Sequence, residues 1–174
     1  MNPLYIVPTP IGNLEDVTIR SLNVLKSSDL ILCEDTRRTS ILLNHYSIKK
    51  KLISFNKDNE DKKIDIVLDL LETNIISLVS DAGTPTVSDP GSKLIRRLLE
   101  EDIQVIPLPG SSSITTAFSA SGLDGDFIFV GFLPKNENDL KKNLINLNEI
   151  NKNIIIFESP KRIKKFLEIS RKIF

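Results

Sequence analysis

The residues able to bind or react gather in five short stretches of this 174-residue chain, each following an apolar run. They are Pro8-Thr9-Pro10-Ile11-Gly12-Asn13, Glu34-Asp35-Thr36-Arg37-Arg38, Phe55-Asn56-Lys57-Asp58-Asn59-Glu60, Ser80-Asp81-Ala82-Gly83-Thr84-Pro85 with Ser88-Asp89-Pro90-Gly91, and Pro107-Leu108-Pro109-Gly110-Ser111-Ser112-Ser113. Asp81 is the sharpest of them. A carboxylate at the end of an apolar run is costly to desolvate unless ribose hydroxyls, an amine or a similar partner meets it. Glu34, Asp35, Arg37 and Arg38 put two carboxylates and two guanidiniums into five residues. Either they pair among themselves, or they offer a proton acceptor and a phosphate-binding group to a substrate. Ser111, Ser112 and Ser113 can cap a helix or touch a ligand, and the Pro and Gly residues of 8–13 and 85–91 set tight turns in either case.

Absences narrow the chemistry. One cysteine, Cys33, and one histidine, His45, allow neither an internal disulfide nor a Cys/His zinc site, so no dedicated metal is expected. Cys33 reads as a small core residue and His45 as a solvated helix residue. The chain has no Gly-x-Gly-x-x-Gly after a strand, no P-loop and no Gly-x-Ser-x-Gly, which favours a nucleoside-type ligand over a nucleotide. No apolar run approaches the roughly 20 residues of a spanning helix, so a soluble, cytoplasmic protein without a membrane partner is expected. Net charge is zero, yet residues 1–134 carry 13 basic and 18 acidic side chains while residues 135–174 carry 10 and 5. A nucleic-acid partner would therefore be better received by the C-terminal segment.

Positioning these stretches requires strands that end where they begin. Residues 4–7, 29–33, 52–54, 75–79 and 103–106 are short aliphatic runs that read as five strands, and the segments between them are amphipathic. Ile64, Val67, Leu68 and Leu71 form one helical stripe, and Leu94, Ile95, Leu98 and Leu99 a second. The pattern is that of an α/β domain over 1–122 with a mainly parallel sheet, whose carboxyl edge gathers all five loops and is where ligands of such sheets bind. Beyond Gly122 come strands at 127–131 and 153–157, a polar helix near 138–149 and a helix from Lys161, which read as the start of a second α/β domain over 123–174.

The strings Tyr5-Ile-Val-Pro-Thr-Pro-Ile-Gly-Asn-Leu14, Cys33-Glu-Asp-Thr-Arg37, Leu78-Val-Ser-Asp-Ala-Gly-Thr-Pro85, Pro107-Leu-Pro-Gly110 and Gly131-Phe-Leu-Pro134 occur in that order. Together they resemble the bacterial ribosomal small-subunit RNA (cytidine-2'-O)-methyltransferase family of the tetrapyrrole methylase superfamily, over residues 4–174. Phe157-Glu158-Ser159-Pro160-Lys161-Arg162 is similar to that family's aromatic-Glu-Ser-x-x-Arg segment. The resemblance implies a tetrapyrrole-methylase-like fold that binds S-adenosyl-L-methionine between two α/β domains, acts as a homodimer, and methylates a cytidine ribose in small-subunit ribosomal RNA.

Carried over position by position, Pro10, Ile11, Gly12, Asp81, Gly83, Thr84, Ser113 and Ile114 match cofactor-binding positions. Glu34, Asp35 or Glu158 could take or orient the hydroxyl proton while Arg37 or Arg162 holds a phosphate, and spacing does not choose among them. Arg37, Arg38, Lys161, Arg162, Lys164 and Lys165 are the candidate RNA contacts, the basic segment 161–172 being otherwise a solvated helix face. Two departures stand out. The family commonly has Pro after Leu-Pro-Gly where this chain has Ser111, a change expected to relax the loop, and its members are longer, so this chain is expected to fold but to methylate poorly. The other functions in view are a superfamily relative acting on a tetrapyrrole or protein, and a non-catalytic cofactor-binding remnant.

Overall fold

The computed structural model describes residues 1–174, which separate into two compact units, Met1–Ser113 and Ile114–Phe174. In the first unit β1 (Leu4–Ile6), β2 (Leu30–Cys33), β3 (Lys51–Ser54), β4 (Ile76–Val79) and β5 (Val105–Pro107) make a sheet in the order β3-β2-β4-β1-β5. Every pairing is parallel, so the α/β expectation holds. Four helices connect the strands: α1 (Ile19–Ser27), α2 (Thr36–His45), α3 (Glu60–Leu71) and α4 (Ser92–Glu100).

A parallel sheet covered on both faces favours strands that are near-continuous apolar runs, and β2 and β4 are buried at every position. Alternation sorts their side chains. Leu30, Leu32, Ile76 and Leu78 join Val67, Leu68 and Leu71 of α3 and Leu94 and Leu98 of α4 in one core. Ile31, Cys33 and Val79 join Leu25 of α1 and Leu43 of α2 in the other. Ser77, polar yet fully buried in β4, lies 2.6 Å from Ser28 Oγ, which donates onward to the Val24 carbonyl at 2.8 Å. The buried hydroxyls are thus satisfied by each other.

Three sequence expectations shift. The fifth strand forms at Val105–Pro107, because the Ile103 N–H donates to the Leu98 carbonyl at 2.9 Å and closes α4 instead of entering the sheet. Pro107 is tolerated there since β5 is an edge strand. Leu99, expected on the apolar stripe of α4, is 60% exposed, the buried residues of that helix being Leu94 and Leu98. Helix α1 has no strong stripe and buries only Ser21 and Leu25.

The second unit contains α5 (Ser113–Ala120), which starts at its boundary, then β6 (Phe127–Phe132), α6 (Glu137–Asn148), β7 (Asn153–Phe157) and α7 (Ile163–Ser170). β6 and β7 form a two-stranded parallel sheet whose register slips by one residue between Phe129 and Phe132. Leu133, Leu140, Leu144, Phe166 and Ile169 make its core. Helix α7 begins two residues later than Lys161, the N–H groups of Arg162 and Ile163 both donating to the Ser159 carbonyl. No helix is long and apolar enough to cross a membrane.

Candidate functional site

Sheet order fixes where a crevice must open. β1 and β2 flank β4, and their chain continues into α1 and α2 on one face, whereas β4 continues into α4 on the other. Loops that leave neighbouring strands for opposite faces part from one another at the carboxyl edge. The Asp81 loop after β4 sits between them.

Hydrogen bonds zip three of the five loops together. Thr9 and Gly83 exchange both backbone bonds at 2.9 Å, and Thr9 Oγ1 donates to the Ser80 carbonyl at 3.0 Å. Gly83 has φ +85°, a backbone conformation that a side chain would strain, so glycine suits the turn that pairs with Thr9. Thr84 Oγ1 donates to the Ser111 carbonyl at 3.2 Å, and Ser111 Oγ donates to the Asp16 carbonyl at 2.8 Å. The Ser111 side chain itself thus adds one tie, to the loop before α1. Gly110 lies against Pro8, where a Cβ would overlap Pro8 Cβ at 2.6 Å. Pro10, Ile11, Gly12, Asp81, Gly83 and Thr84 are thereby brought onto adjoining loops, and Ser113 and Ile114 are the first residues of α5.

The fourth loop starts α2. Asp35 caps that helix by accepting the Arg37 N–H at 2.9 Å, while the Arg37 Nε and Nη2 donate to both its oxygens at 3.0 and 2.6 Å. The Asp35 N–H donates to Asp81 Oδ1 at 3.1 Å, and Arg38 Nε lies 3.6 Å from Asp81 Oδ2. Pairing within the cluster of four thus forms only between Asp35 and Arg37, while Arg38 turns to Asp81 outside it. Glu34 takes part in no such pair. Beside these groups a cavity of about 610 Å³ is lined by Glu34, Asp35, Arg37, Asn56, Lys57 and Asp81, among others. A smaller one of about 60 Å³ is lined by Pro10, Leu14, Thr39, Leu42 and Asp81. Thr39 Oγ1 is buried without an oxygen or nitrogen partner.

Charge is uneven along this edge. Burial pushes the Glu34 carboxyl up from its ordinary range, and the neighbouring Asp81 and Asp89 carboxylates push it further, against Lys57 and Arg38. Asp89 is raised as well, by burial first. Asp35 goes the other way, held down at about 2 by its hydrogen bonds from Arg37. Cys33 is buried and its thiol is raised by that burial, which fits a core role.

The candidates of the second unit make a separate cluster. Glu158 has a side chain only 4% exposed; its Oε1 accepts the Ser159 N–H at 2.6 Å and its Oε2 lies 3.1 Å from Arg162 Nη2. Arg162 also donates to the Pro134 carbonyl at 3.0 Å. Lys165 and Lys141 both pair with Glu137, at 2.7 and 2.8 Å. Of the four basic candidates on this segment, Lys161 and Lys164 are exposed outside any ion pair. Sequence reasoning placed Asn56 and Lys57 in one of the five loops without giving them a role, and it missed Thr39, which lies inside α2 where nothing in its spacing marks it.

Comparison with known proteins places these loops among relatives. The model of the Tetrapyrrole (Corrin/Porphyrin) Methylases matches residues 3–173. The chain is 51% identical over 165 residues to a Thermotoga maritima protein named ribosomal RNA small subunit methyltransferase I, covering 94% of this chain and 74% of that one. Proteins of the same name from Vibrio cholerae and Halalkalibacterium halodurans are 46% and 45% identical over 167 residues, 95% of this chain and 58% of each of theirs. The chain thus spans less than two thirds of the length of those two. Among solved structures, a cobalamin biosynthetic enzyme, cobalt precorrin-4 methyltransferase, shares the fold with a TM-score of 0.73 at 18% identity, covering 98% of this chain and 74% of its own. The native form of uroporphyrin III C-methyl transferase from Thermus thermophilus does so with a TM-score of 0.67 at 17% identity, covering 97% and 77%.

Proposed function

Since the chain belongs to the tetrapyrrole (corrin/porphyrin) methylase family, we propose that it serves the transfer of a methyl group from S-adenosyl-L-methionine to a cytidine 2'-hydroxyl of small-subunit ribosomal RNA. The observation that carries this reading is the convergence of the Pro8–Gly12, Glu34–Arg38 and Ser80–Thr84 loops on Asp81, in a chain about half identical over nearly all its length to a protein named for that RNA. Asp81 keeps acceptor capacity beyond the Asp35 N–H it holds, and Thr39 adds a buried hydroxyl with no oxygen or nitrogen partner, only the weakly bonding Cys33 thiol beside it, a pair of groups that suits a ribose. These residues fit the nucleoside part of the methyl donor. Pro10, Ile11, Gly12, Gly83 and Thr84 would supply the wall and backbone groups around it, with Ser113 and Ile114 at the start of α5.

When bound, the donor supplies an electrophilic methyl group on a sulfonium. The chain's own residues must align the ribose hydroxyl, keep water out and receive its proton, and alignment alone can carry much of the rate in an in-line displacement. Arg37 and Lys57, on the rim of the larger cavity, suit an RNA phosphate. Lys161 and Lys164 offer unpaired cations for further phosphates. The reading includes a homodimer and a cytoplasmic setting, both supported by the family resemblance; sedimentation of the purified protein checks the first. The test of the function is mass spectrometry of small-subunit ribosomal RNA from cells in which the gene is deleted. One 2'-O-methylcytidine is expected to disappear and to return with the gene, and an unchanged modification pattern overturns the reading.

A further inference from the structure

We propose that Glu34 is the group that accepts the proton of the hydroxyl being methylated, an inference that rests on the function proposed above. Three carboxylates are compatible with the sequence, and geometry separates them. Asp35 is occupied on both oxygens by Arg37 and by the helix cap it provides. Glu158 is sealed from solvent and divided between the Ser159 N–H and the Arg162 guanidinium. Glu34 is half-buried, lines the 610 Å³ cavity beside Asp81, and makes none of the hydrogen bonds or ion pairs that tie the other two.

Its surroundings suit the task. Burial first, and then the like charges of Asp81 and Asp89 on the segment that follows β4, make its carboxyl more basic than a free glutamate's, against the opposing charges of Lys57 after β3 and Arg38 of α2. The step balances within the proposed reaction. The hydroxyl O–H bond breaks and its proton goes to a Glu34 oxygen; the oxygen's electron pair forms the bond to the methyl carbon, and the carbon–sulfur bond breaks with its pair left on sulfur. A base in that position contributes on the order of 100-fold or more to rate.

The experiment compares the wild type with Glu34→Gln and Glu34→Asp in the gene-deleted cells and as purified protein. In single-turnover methylation of unmodified 30S subunits, the wild-type rate is expected to fall tenfold per pH unit below the Glu34 pKa. Glu34→Gln is expected to lose about 100-fold in rate together with that acid limb, and Glu34→Asp to retain a shifted limb. Calorimetry is expected to give S-adenosyl-L-methionine affinities within about twofold of wild type for both. Carbon-13 titration of the Glu34 carboxyl must then give the pKa seen in the kinetics. A Glu34→Gln protein that keeps the acid limb, or that loses affinity for the methyl donor, overturns the inference while leaving the function standing. A wild type that modifies no cytidine overturns both.

Discussion

At the scale of single residues, Asp81 and Gly110 make the sharpest demands on the edge of the first sheet. Asp81 is held in place by one backbone N–H and a guanidinium at 3.6 Å, so its carboxylate can still accept from a ligand. Replacing it by Ala is expected to weaken S-adenosyl-L-methionine and its demethylated product by about 1.5–3 kcal/mol, the worth of a hydrogen bond to a charged group, with calorimetry as the check. Unchanged affinity would remove Asp81 from the site. Gly110 is a different kind of requirement. A methyl group there meets Pro8 at 2.6 and 2.9 Å, and a proline ring cannot swing aside, so Gly110→Ala is expected to cost about 1–3 kcal/mol in urea unfolding. Gly12→Ala, with nothing within 4 Å of the added carbon, is the matched substitution expected to leave stability nearly unchanged.

At the scale of elements, one exposed carboxylate links α6 to α7 beside their shared apolar core. Glu137 takes hydrogen bonds from Lys141 on its own helix and Lys165 on α7, which hold it at about 2 against an ordinary value of 4.5. Because the folded chain binds that proton less tightly than the unfolded chain, the contribution is complete above about pH 4.5 and is lost as pH falls through about 2. Glu137→Gln should therefore lower the urea midpoint at pH 6 and converge on wild type near pH 2. A difference that persists undiminished in acid would assign the effect to packing. The same elements show what sequence can carry. β2 and β4 are legible because strands buried on both faces are almost wholly apolar, Ser77 being the one polar residue of the two, and α3 because Val67, Leu68 and Leu71 repeat at helical spacing. α1 is not, since one leucine and a serine are all it buries, and its identity as a helix comes from the Thr18 cap and from sheet packing. The slip of β5 has a similar origin: Ile103 is apolar and buried, but its N–H is spent on closing α4.

At the scale of the whole molecule, the site loops were legible as a set and their internal assignments were not. Parallel topology alone sends every loop after a strand to one edge, whereas the choice among Glu34, Asp35 and Glu158 turns on which carboxylate an arginine already holds, a fact of side-chain geometry. The same distinction divides the basic residues of the second unit. Arg162 is committed to Glu158 and the Pro134 carbonyl and Lys165 to Glu137, so these two cations are engaged within the unit, while Lys161 and Lys164 stand free. Each phosphate neutralised by a free lysine releases condensed counterions and steepens the salt dependence of binding, by about 0.9 per contact on a duplex and about 0.7 on a single strand. Reversing Lys161 and Lys164 together is thus expected to weaken retention of small-subunit ribosomal RNA and to flatten its logarithmic salt slope by about 1.4–1.8, with the thermal midpoint unmoved. Reversing Arg162 and Lys165 is expected to lower the thermal midpoint instead, since it strands Glu158 in a buried setting without its partner. Filter binding across a salt series, run beside thermal denaturation on the same four-residue set, separates the two pairs; a salt slope that ignores Lys161 and Lys164 would place the RNA elsewhere on the chain.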